Sequence, residues 1–484
     1  RSLFAMTTSK ATDNTGYKEA YRDHLGNVTQ EGKRLKIHPQ RPVGRHHSVR
    51  RIVSWVLLAI LFTGPFVEIG GHPLLLLNIL ERKFVLFGVP FWPQDLHLFL
   101  LAVLSLVVFI VLFTAVFGRI WCGWVCPQTI FMEMIFRKIE YWIEGDAAMQ
   151  RRLDREPWTQ VKILKKMLKH GVFFAISFLI ANTFLAYISG SGPLWQIITD
   201  PPSEHLQGLF SISIFSLVFY GVFARFREQA CIIVCPYGRW QSAMVNEDTI
   251  AVTYDYRRGE PRAKLKRAEH ETEGTGDCID CGQCVQVCPT GIDIRNGIQL
   301  ECVNCTACID ACDAIMDKVE RPRGLIRYSS YRGIEENRRK LLTPRVLAYA
   351  AVLAVLLGVV TYLFATRDQL QAVILREPGK LHTDLADGRL ANFYSVKIIN
   401  KTFAEVPVEI RVVEPAAAEI ISLGDLAQVP PQGMLVGRFL LALPREGLMP
   451  GRNPVGFAIY ADGRFVSAVE SAFLAPHNVQ KKGS

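Results

Sequence analysis

Five stretches of the sequence are apolar over about the length that a bilayer crossing requires. A transmembrane helix takes about 20 mostly apolar residues with few charges. Helices buried in the core of soluble proteins seldom lack charges for so long, so the pattern predicts a membrane protein. The five predicted spans are residues 52–69, 96–117, 171–189, 206–224 and 346–365.

Beyond residue 365 the pattern changes to short runs in which apolar and polar positions alternate. Gly, Pro and Asp separate these runs, as is typical of strands joined by turns. The pattern predicts a small immunoglobulin-like β-sandwich, with strands at residues 393–400, 406–413, 434–443, 456–460 and 465–473. This segment has no cysteine, so its predicted role is to dock a partner or to stabilise a complex.

The charges of the loops predict how the chain is oriented. The 484 residues include 55 Lys and Arg against 45 Asp and Glu, a net charge of +10. Residues 1–51, 118–169 and 225–345 carry 11, 10 and 19 basic residues, whereas residues 70–95 and 190–206 carry two and none. Lys and Arg accumulate on the cytoplasmic side, so the N-terminus is predicted to be cytoplasmic and the segment after residue 365 periplasmic. The basic excess then reports topology, and no nucleic-acid partner is predicted.

Ten of the 12 cysteines lie between the fourth and fifth spans, and eight of these form two runs typical of bacterial ferredoxins. Each run has the spacing C-x-x-C-x-x-C-x-x-x-C, and the first ends in Cys-Pro. In a doubled run, three thiolates of each run hold one [4Fe–4S] cluster and the fourth reaches across to the other cluster. The predicted ligands are Cys278, Cys281, Cys284 and Cys312 for cluster one, and Cys302, Cys305, Cys308 and Cys288 for cluster two.

Two other interpretations of these runs are weaker. Zinc is the alternative metal for paired C-x-x-C units, but the doubled run and its Cys-Pro ending favour iron–sulfur clusters. Asp313 stands where the second run would have a proline, a departure that removes no ligand. Disulfides are disfavoured because the charge pattern places this loop on the reducing side of the membrane.

The remaining four cysteines form two copies of a Cys-x-x-x-Cys-Pro motif, Cys122 with Cys126 and Cys231 with Cys235. Thiols at i and i+4 lie on one helix face, and the following proline ends or bends the helix. Each motif suits a soft metal or a redox-active thiol, and two apolar core cysteines at a helix end are the alternative. Together the four thiolates would suit Cu(I) or a further iron–sulfur centre.

The two motifs also indicate an internal repeat. Spans one and two form one predicted hairpin and spans three and four another, each followed by one motif. Both hairpins run in the same direction, so the predicted repeat is parallel, with its axis along the membrane normal. Three methionines follow the motifs closely and would either add thioether ligands or pack in the core, namely Met132, Met134 and Met244.

Other cofactors have little support. His46 and His47 precede the first span, where they would bind a metal or be solvated. No G-x-G-x-x-G or Walker A motif is present, so no nicotinamide, flavin or ATP site is predicted, and electrons must arrive from another protein or a diffusible reductant. A b-type haem is disfavoured because the remaining histidines near the spans all lie at span ends, namely His72, His97, His170 and His205.

These features together resemble the CcoG/FixG/RdxA-type accessory proteins of cytochrome c oxidase, which are polyferredoxin-like membrane proteins. The resemblance rests on the segment GHPLLLLNILERK at residues 71–83, on both Cys-x-x-x-Cys-Pro motifs, and on the runs CIDCGQCVQVCPTGID and CVNCTACIDAC. It covers most of the chain after residue 35. It implies a role in assembling a cbb3-type haem–copper oxidase, as a cupric reductase that converts Cu(II) to Cu(I).

The predicted fold class is a multi-domain membrane protein. It combines an α-helical five-span bundle with a parallel internal repeat, an inserted bacterial-type 2[4Fe–4S] ferredoxin domain and a C-terminal immunoglobulin-like β-sandwich. The predicted parts are a disordered cytoplasmic tail (1–45), a membrane domain (46–250), a cytoplasmic ferredoxin domain (251–340), a fifth transmembrane helix (345–366) and a periplasmic immunoglobulin-like domain (370–484).

We expect Cu(II) to be captured near the Cys-x-x-x-Cys-Pro cysteines and reduced by electrons from the ferredoxin clusters. The alternatives are an electron conduit between a quinol or cytoplasmic donor and a partner redox enzyme, and a scaffold whose clusters only hold the loop fold. The predicted partners are the lipid bilayer, copper chaperones or a transporter, oxidase subunits, an unidentified electron donor and, as an open option, a second copy in a homodimer. The predicted location is the bacterial inner membrane.

Overall fold

A computed structural model describes residues 35–69, 72–78, 83–86, 88–91, 95–241, 244–264, 274–337, 341–379, 382–424 and 426–477. The chain divides into two compact units. Unit 1 comprises Arg1–Glu68 and Leu101–Gly358 and contains all 12 cysteines. Unit 2 comprises Ile69–Leu100 and Val359–Ser484.

Helices form most of unit 1. In chain order the α-helices of the described residues are α1 (Arg45–Thr63), α2 (Leu96–Phe117), α3 (Ile120–Trp124), α4 (Pro127–Ile130), α5 (Arg137–Ile143), α6 (Ala147–Arg155), α7 (Gln160–Ser189), α8 (Ser191–Thr199), α9 (Leu206–Gly221), α10 (Pro236–Trp240), α11 (Tyr256–Gly259), α12 (Gln283–Gln286), α13 (Ala307–Lys318), α14 (Tyr331–Glu335) and α15 (Pro344–Ala365). Short 3₁₀ turns occur at Gly64–Phe66 and Ile294–Asn296, and π-helical turns at Phe131–Phe136, Val222–Phe226 and Ala230–Val234.

Strands form most of unit 2. In chain order they are β1 (Glu68–Ile69), β2 (His72–Pro73), β3 (Leu75–Asn78), β4 (Lys83–Leu86), β5 (Val89–Phe91), β6 (Ala251–Tyr254), β7 (Ile326–Ser329), β8 (Leu370–Arg376), β9 (Thr383–Asp384), β10 (Leu390–Asn400), β11 (Val406–Glu414), β12 (Glu419–Ser422), β13 (Gln428–Val429), β14 (Met434–Leu443), β15 (Gly451–Ala461) and β16 (Arg464–Ala475). Of these, β6 and β7 belong to unit 1.

Among the described residues, five helices are long and apolar enough to cross a membrane, the same number as the predicted spans. They are Arg45–Phe66, Leu96–Phe117, Gln160–Ser189, Leu206–Phe226 and Pro344–Ala365. The first and third begin earlier than predicted because basic turns continue the helix beyond its apolar part. In the third, Lys166 and Lys169 lie 2.8 and 2.9 Å from the buried carboxylate of Glu144, which keeps these charged turns folded against α5.

The apolar core of unit 1 lies where α1 and α7 meet the π-helical turn Phe131–Phe136. Phe136 stacks on Phe223, with ring centroids 4.4 Å apart. Met132 and Met134 belong to this core and are almost fully buried, and Met244 is buried as well. Of the two predicted roles of these methionines, packing is the one that the structure shows.

The helix pairing leaves the predicted repeat untested. Helix α7 packs along α9, as expected for spans three and four. Helix α1 packs against α3 and α13, which belong to the segments that carry the cysteines. The parallel repeat therefore stays a prediction.

The segment between α10 and α15 folds around its own core. Strands β6 and β7 pair antiparallel, from Ala251 opposite Ser329 to Tyr254 opposite Ile326. Helices α12 and α13 pack together beside this ribbon and carry three of the ferredoxin-type cysteines. Both short helices follow a cysteine loop, so the core and the loops form one structure.

A buried carboxylate ties α1 to this segment. Asp310 on α13 accepts hydrogen bonds from the backbone N–H groups of His46 and His47 at 3.1 and 2.7 Å. His46 Nδ1 also lies 2.9 Å from this carboxylate. The two histidines, expected either to bind a metal or to be solvated, instead hold the start of the first span on the ferredoxin-type helix.

Part of the predicted disordered tail falls on described residues. Residues 1–34 lie outside the described residues. Lys36 Nζ lies 2.5 Å from Asp154 on α6, and Gln40 Nε2 donates to Gln286 Oε1 on α12 at 2.8 Å. The described end of that segment is therefore in contact with folded elements of unit 1.

The C-terminal part of unit 2 is a sandwich of two antiparallel sheets. One has the strand order β12-β14-β10-β8 with β9 beside β10, and the other has the order β13-β11-β15-β16. Tyr394, Phe439 and Phe457 form its aromatic centre, with ring centroids 5.5–5.6 Å apart. All five predicted strands are present, and the structure adds β8, β9, β12 and β13.

The chain between α1 and α2 contains strands that the sequence analysis missed. Strands β1 and β2 pair, and β3, β4 and β5 form a second small sheet. The segment ends at Asp95, a buried carboxylate that lies 2.7 Å from both Arg367 Nη2 and Lys401 Nζ. This ion-pair group joins the start of α2 to the chain after α15 within unit 2.

Candidate functional site

The thiols of predicted cluster one line a single cavity. Cys278, Cys281, Cys284 and Cys312 border a space of about 360 Å³ whose other walls are mostly apolar, including Ile279, Ile315, Met316 and Leu325. Cys278 and Cys284 are buried, whereas Cys281 is exposed. Three thiols come from the first run and one from α13, as the crossed pattern predicts.

The thiols of predicted cluster two line a second cavity of about 340 Å³. Cys302, Cys305 and Cys308 come from the second run, and Cys288 comes from the end of the first. Cys284 borders both cavities, so the two spaces adjoin. The linings support the crossed assignment, and the assignment itself stays a prediction.

Left-handed residues at matching positions turn the two cysteine loops. Asp280 and Gly282 in the first run have φ of 50° and 67°, and Asn304 and Thr306 in the second have 54° and 67°. Asp, Asn and Gly adopt this conformation readily, but a β-branched threonine rarely does. Its hydroxyl donates to the carbonyl of Cys305 at 2.6 Å. The backbone thus turns twice in each run, which brings the three successive thiols toward one cavity.

The thiols fit iron–sulfur clusters because they converge, because most of them are at least partly buried, and because the buried ones need a cation to ionise. Burial raises the pKa of Cys284, Cys302 and Cys312 to about 12 and that of Cys305 to about 11. Thiolates form at neutral pH in such surroundings only when a metal ion supplies compensating charge. Two mostly apolar cavities, one lined by four cysteines and the other by five because Cys284 borders both, are therefore suited to two clusters.

The two Cys-x-x-x-Cys-Pro motifs share one local geometry. Cys126 and Cys235 each precede a short helix, with extended φ, ψ of −59°, 123° and −66°, 116°. Pro127 and Pro236 begin those helices, where a proline costs no hydrogen bond. The proline thus forces the second cysteine of each motif out of helical geometry, as expected.

The structure brings the four motif cysteines together. The thiols of Cys126 and Cys235 lie close enough to those of Cys122 and Cys231 to add to the rise in the pKa of both. Burial raises the pKa of Cys122 to about 11 and that of Cys231 to about 12. A reactive thiol needs the opposite shift, so this arrangement favours a soft-metal site over a redox-active thiol.

The four-cysteine group adjoins the loop of the second run. Cys122 packs against an apolar cluster that includes Val303 and Cys305. At Gly123 an added Cβ would lie 2.3 Å from the carbonyl oxygen of Val303, so only glycine permits this approach. Trp124 Nε1 donates to Tyr328 Oη at 3.1 Å on the neighbouring strand. The first motif is therefore fastened to the segment that carries cluster-two ligands.

Three family models match the chain. One described as a 4Fe-4S dicluster domain matches residues 226–331, and one described as a 4Fe-4S binding domain matches residues 99–146. Together these two ranges contain all 12 cysteines. A third model, described as the Ig-like fold at the C-terminus of FixG, matches residues 360–476.

Known proteins of similar sequence cover most of the chain. Nitrogen fixation protein FixG of Rhizobium meliloti is 34% identical over 409 residues, which cover 76% of this chain and 77% of that protein. Protein RdxB of Cereibacter sphaeroides is 37% identical over 388 residues, and protein RdxA of the same organism is 35% identical over 389. Each of these two alignments covers 76% of this chain and 80% of the relative.

The chain belongs to the FixG, RdxA and RdxB family. This FixG-family chain is a membrane iron–sulfur redox protein with an Ig-like C-terminal domain. The dicluster model and the two cysteine runs support two [4Fe–4S] clusters. The names of the relatives do not specify a substrate.

Sequence reasoning missed two arginines of the FixG-family site. Arg50 on α1 donates from Nε to the carbonyl of Gly123 at 2.6 Å and is 2% exposed. Arg119, between α2 and α3, donates to the carbonyl of Leu300 and also interacts with the thiol of Cys122. Both were counted only as basic residues that orient the chain. The signal that could have found them is their position, because Arg50 lies just before the predicted first span and Arg119 lies three residues before a motif cysteine.

Two of the histidines considered for haem have other partners. His170 Nδ1 lies 2.9 Å from Tyr220 Oη, and His205 Nε2 lies 3.0 Å from Asp200 Oδ2. His97 is exposed, and the side chain of His72 lies outside the described residues. None of these contacts involves the cysteine site.

Proposed function

We propose that this FixG-family chain is a membrane-bound iron–sulfur electron-transfer protein that reduces Cu(II) to Cu(I) in support of cbb3-type oxidase assembly. One observation carries the proposal: four thiols outside the ferredoxin runs converge beside the loop that carries cluster-two ligands. A capture site and a source of electrons are then adjacent in one unit. The resemblance to oxidase accessory proteins supports copper as the substrate.

The chemistry of the four thiols suits the product of this reaction. When bound, the clusters would supply single electrons, and each Cu(II) takes up one electron to become Cu(I). Thiolates are soft ligands that favour Cu(I). Cys122, Cys126, Cys231 and Cys235 would therefore stabilise the reduced ion and exclude water from it. Release to a copper chaperone or transporter completes the cycle.

We further propose that the chain lies in the bacterial inner membrane with its cysteines at the cytoplasmic side. The support is the basic character of residues 1–51, 118–169 and 225–345, which contain or adjoin the cysteine segments. The Ig-like domain would then be periplasmic. Its cysteine-free sandwich suits docking of oxidase subunits rather than electron transfer.

The test compares the full-length protein with a variant in which all four motif cysteines are serine. Each is purified anaerobically in detergent, reduced with stoichiometric dithionite and desalted. Cu(II) is added, and Cu(I) is trapped with a chelating dye while cluster absorbance is followed. We expect the variant to keep about eight irons per chain, as two [4Fe–4S] clusters require, but to form Cu(I) at a small fraction of the wild-type rate.

Other outcomes distinguish the alternatives. Wild-type Cu(I) formation by the variant would refute the proposed copper site. Clusters that stay reduced in the presence of Cu(II) but are oxidised by a quinone would support the conduit. Wild-type protein with clearly more than eight irons, reduced to about eight in the variant, would indicate a further cluster on the motif cysteines.

A further inference from the structure

Two buried arginines border the second cysteine run without a carboxylate to balance them. Arg50 is 2% exposed and Arg119 is 6% exposed. Neither forms an ion pair with a carboxylate among the described residues. Burying an uncompensated guanidinium is costly. Two of them at one place indicate that the folded chain meets negative charge there that its own carboxylates do not supply.

The guanidinium of Arg50 lies near the loop of the second run. Its Nε donates to Gly123, whose Cα lies in close contact with the backbone of Val303. Its Nη2 is buried and has no hydrogen-bond partner among the described residues. The guanidinium acts on the thiol of Cys305 by lowering its pKa against the effect of burial. A free donor thus lies beside a predicted cluster-two ligand.

Arg119 lies between the second run and the four-cysteine group. It donates to the carbonyl of Leu300, two residues before Cys302. Its Nε is buried without a partner among the described residues. The charge acts on the thiol of Cys302 on one side and on those of Cys122 and Cys231 on the other.

The arginine beside cluster one is compensated. Arg295 acts on the thiol of Cys284 but lies 2.5 Å from Asp280 and 2.7 Å from Asp293. Asp313 adds a negative charge next to Cys312. Arg50 and Arg119 at the second cavity therefore lack a carboxylate partner among the described residues, whereas Arg295 at the first cavity has two. Glu133 also acts on the thiol of Cys305, but it is itself paired with Arg137 at 2.8 Å.

We propose that Arg50 and Arg119 stabilise the reduced form of the cluster held by Cys288, Cys302, Cys305 and Cys308, and so give it a higher reduction potential than cluster one. Each one-electron reduction adds one negative charge next to the two guanidiniums, and no bond forms or breaks. Fixed positive charge in a water-poor site stabilises that added charge, and hydrogen bonds to the sulfurs act in the same direction. At equilibrium a singly reduced chain then holds its electron on the side of Cys122. The inference rests on the proposed ligand assignment.

The experiment is an anaerobic redox titration of the full-length protein, with a dithionite-reduced mediator mixture as the electron source and EPR to resolve the clusters. Arg50→Gln and Arg119→Gln are each compared with Arg→Lys at the same position. We expect each glutamine variant to raise the oxidised-to-reduced ratio of cluster two at least tenfold at a fixed potential, a 59 mV fall for a one-electron couple. Cluster one should not change, and lysine should restore most of the shift. Arg323→Gln, which removes an exposed arginine paired with Asp317, is the control and should change neither cluster.

A converse variant tests the same reasoning at cluster one. Asp280→Asn removes one of the two carboxylates that balance Arg295, and asparagine readily adopts the φ of 50° found there. We expect the potential of cluster one to rise, by less than the arginine effect because Asp280 is 41% exposed. This substitution lies at the surface, and the asparagine oxygen can still accept the part-buried hydrogen bond of Arg295.

The outcomes separate the proposal from the ligand assignment on which it rests. The variants Cys288→Ser and Cys312→Ser show which cluster, identified by its EPR signal, each cysteine binds. If each cysteine binds the cluster of its own run, the crossed ligand assignment is refuted, but the role of the arginines is not. Unchanged potentials in both glutamine variants, equal shifts of both clusters, or no rise in Asp280→Asn would overturn the role of the arginines. If a glutamine variant loses iron, its lysine counterpart decides. A lysine variant with the wild-type iron content and the wild-type potential of cluster two would support the role of the positive charge. A lysine variant that also loses iron would contradict that role.

Discussion

Replacing Gly123 by alanine measures how tightly the first thiol motif is held against the second ferredoxin run. The added Cβ would lie 2.3 Å from the carbonyl oxygen of Val303 and 2.9 Å from that of Asn304. Ordinary contact begins at 3.4 Å, so α3 must move away by about 1.1 Å. Both obstacles are backbone atoms, which no side-chain rotation can remove.

The cost of the substitution is expected to be local. Forcing one extra carbon into a packed site costs about 1–3 kcal/mol. Alanine favours helix over glycine by about 1 kcal/mol, which offsets part of that cost. The net loss of stability is therefore up to about 2 kcal/mol. The shift also strains the 2.6 Å hydrogen bond from Arg50 to the carbonyl of residue 123, so its effect should concentrate at cluster two.

The assay combines iron content, EPR of each cluster and thermal unfolding in detergent. We expect Gly123→Ala to lose cluster two faster than wild type in the presence of an iron chelator, while cluster one persists. If the proposed function is correct, Cu(II) reduction should fall as well, because the motif has moved away from the run assigned to cluster two. Gly171→Ala on α7 is the matched control, since a Cβ there meets nothing within 4 Å. A Gly123→Ala protein as stable and as rich in iron as Gly171→Ala would refute the close packing.

Three further predictions concern buried charge. Asp95→Asn should cost about 3–5 kcal/mol, measured by thermal unfolding, because it takes the carboxylate away from the buried Lys401 ammonium at 2.7 Å. Glu140→Gln should cost a similar amount at neutral pH, because Arg227 loses its carboxylate at 2.5 Å. Burial opposes ionisation of Glu140, but nearby cations outweigh it and lower its pKa, so this stability is present above the ordinary glutamate pKa of about 4.3 and is lost as the pH falls below it. The glutamine variant should therefore unfold with a weaker acid dependence, whereas Glu409→Gln at an exposed pair should leave both curves unchanged.

Patterns of one residue type at fixed spacing predicted most of the fold. Apolar runs near 20 residues predicted the spans because a bilayer imposes that length. Alternation with a period of two predicted five strands because each sheet of the sandwich has one face toward solvent and one toward the core. Strands β3 to β5 were missed because such a pattern is absent from their segment. Their segment is apolar at successive positions and short, so neither period is visible, and only the pairing of Leu75–Asn78 with Lys83–Leu86 reveals the sheet.

Burial of charge could not be predicted from the pattern. The turns that begin α7 look like a charged loop until Lys166 and Lys169 are seen to contact Glu144. The convergence of Cys122 and Cys231 was inferred only from the repetition of the motif. The two cysteines are separated by more than 100 residues, and no spacing rule gives the distance in space between motifs so far apart in sequence. Such contacts depend on tertiary packing, which sets distances that sequence separation does not.

Arg50 and Arg119 show why a charge count cannot separate orientation from function in this chain. Both lie next to span ends on the side that the positive-inside rule assigns to the cytoplasm, and there each adds to the basic excess that orients the chain. Both are also buried against cysteine loops, where a positive charge stabilises thiolates. In the proposed topology the two demands fall on the same face of the membrane, because the loops that carry the cysteines would be those that stay in the reducing compartment. A basic residue that serves only orientation remains solvated, as the exposed Arg152 does beside Glu156. Burial without a carboxylate partner, rather than burial alone, therefore distinguishes Arg50 and Arg119 from a buried arginine such as Arg227, which is paired with Glu140.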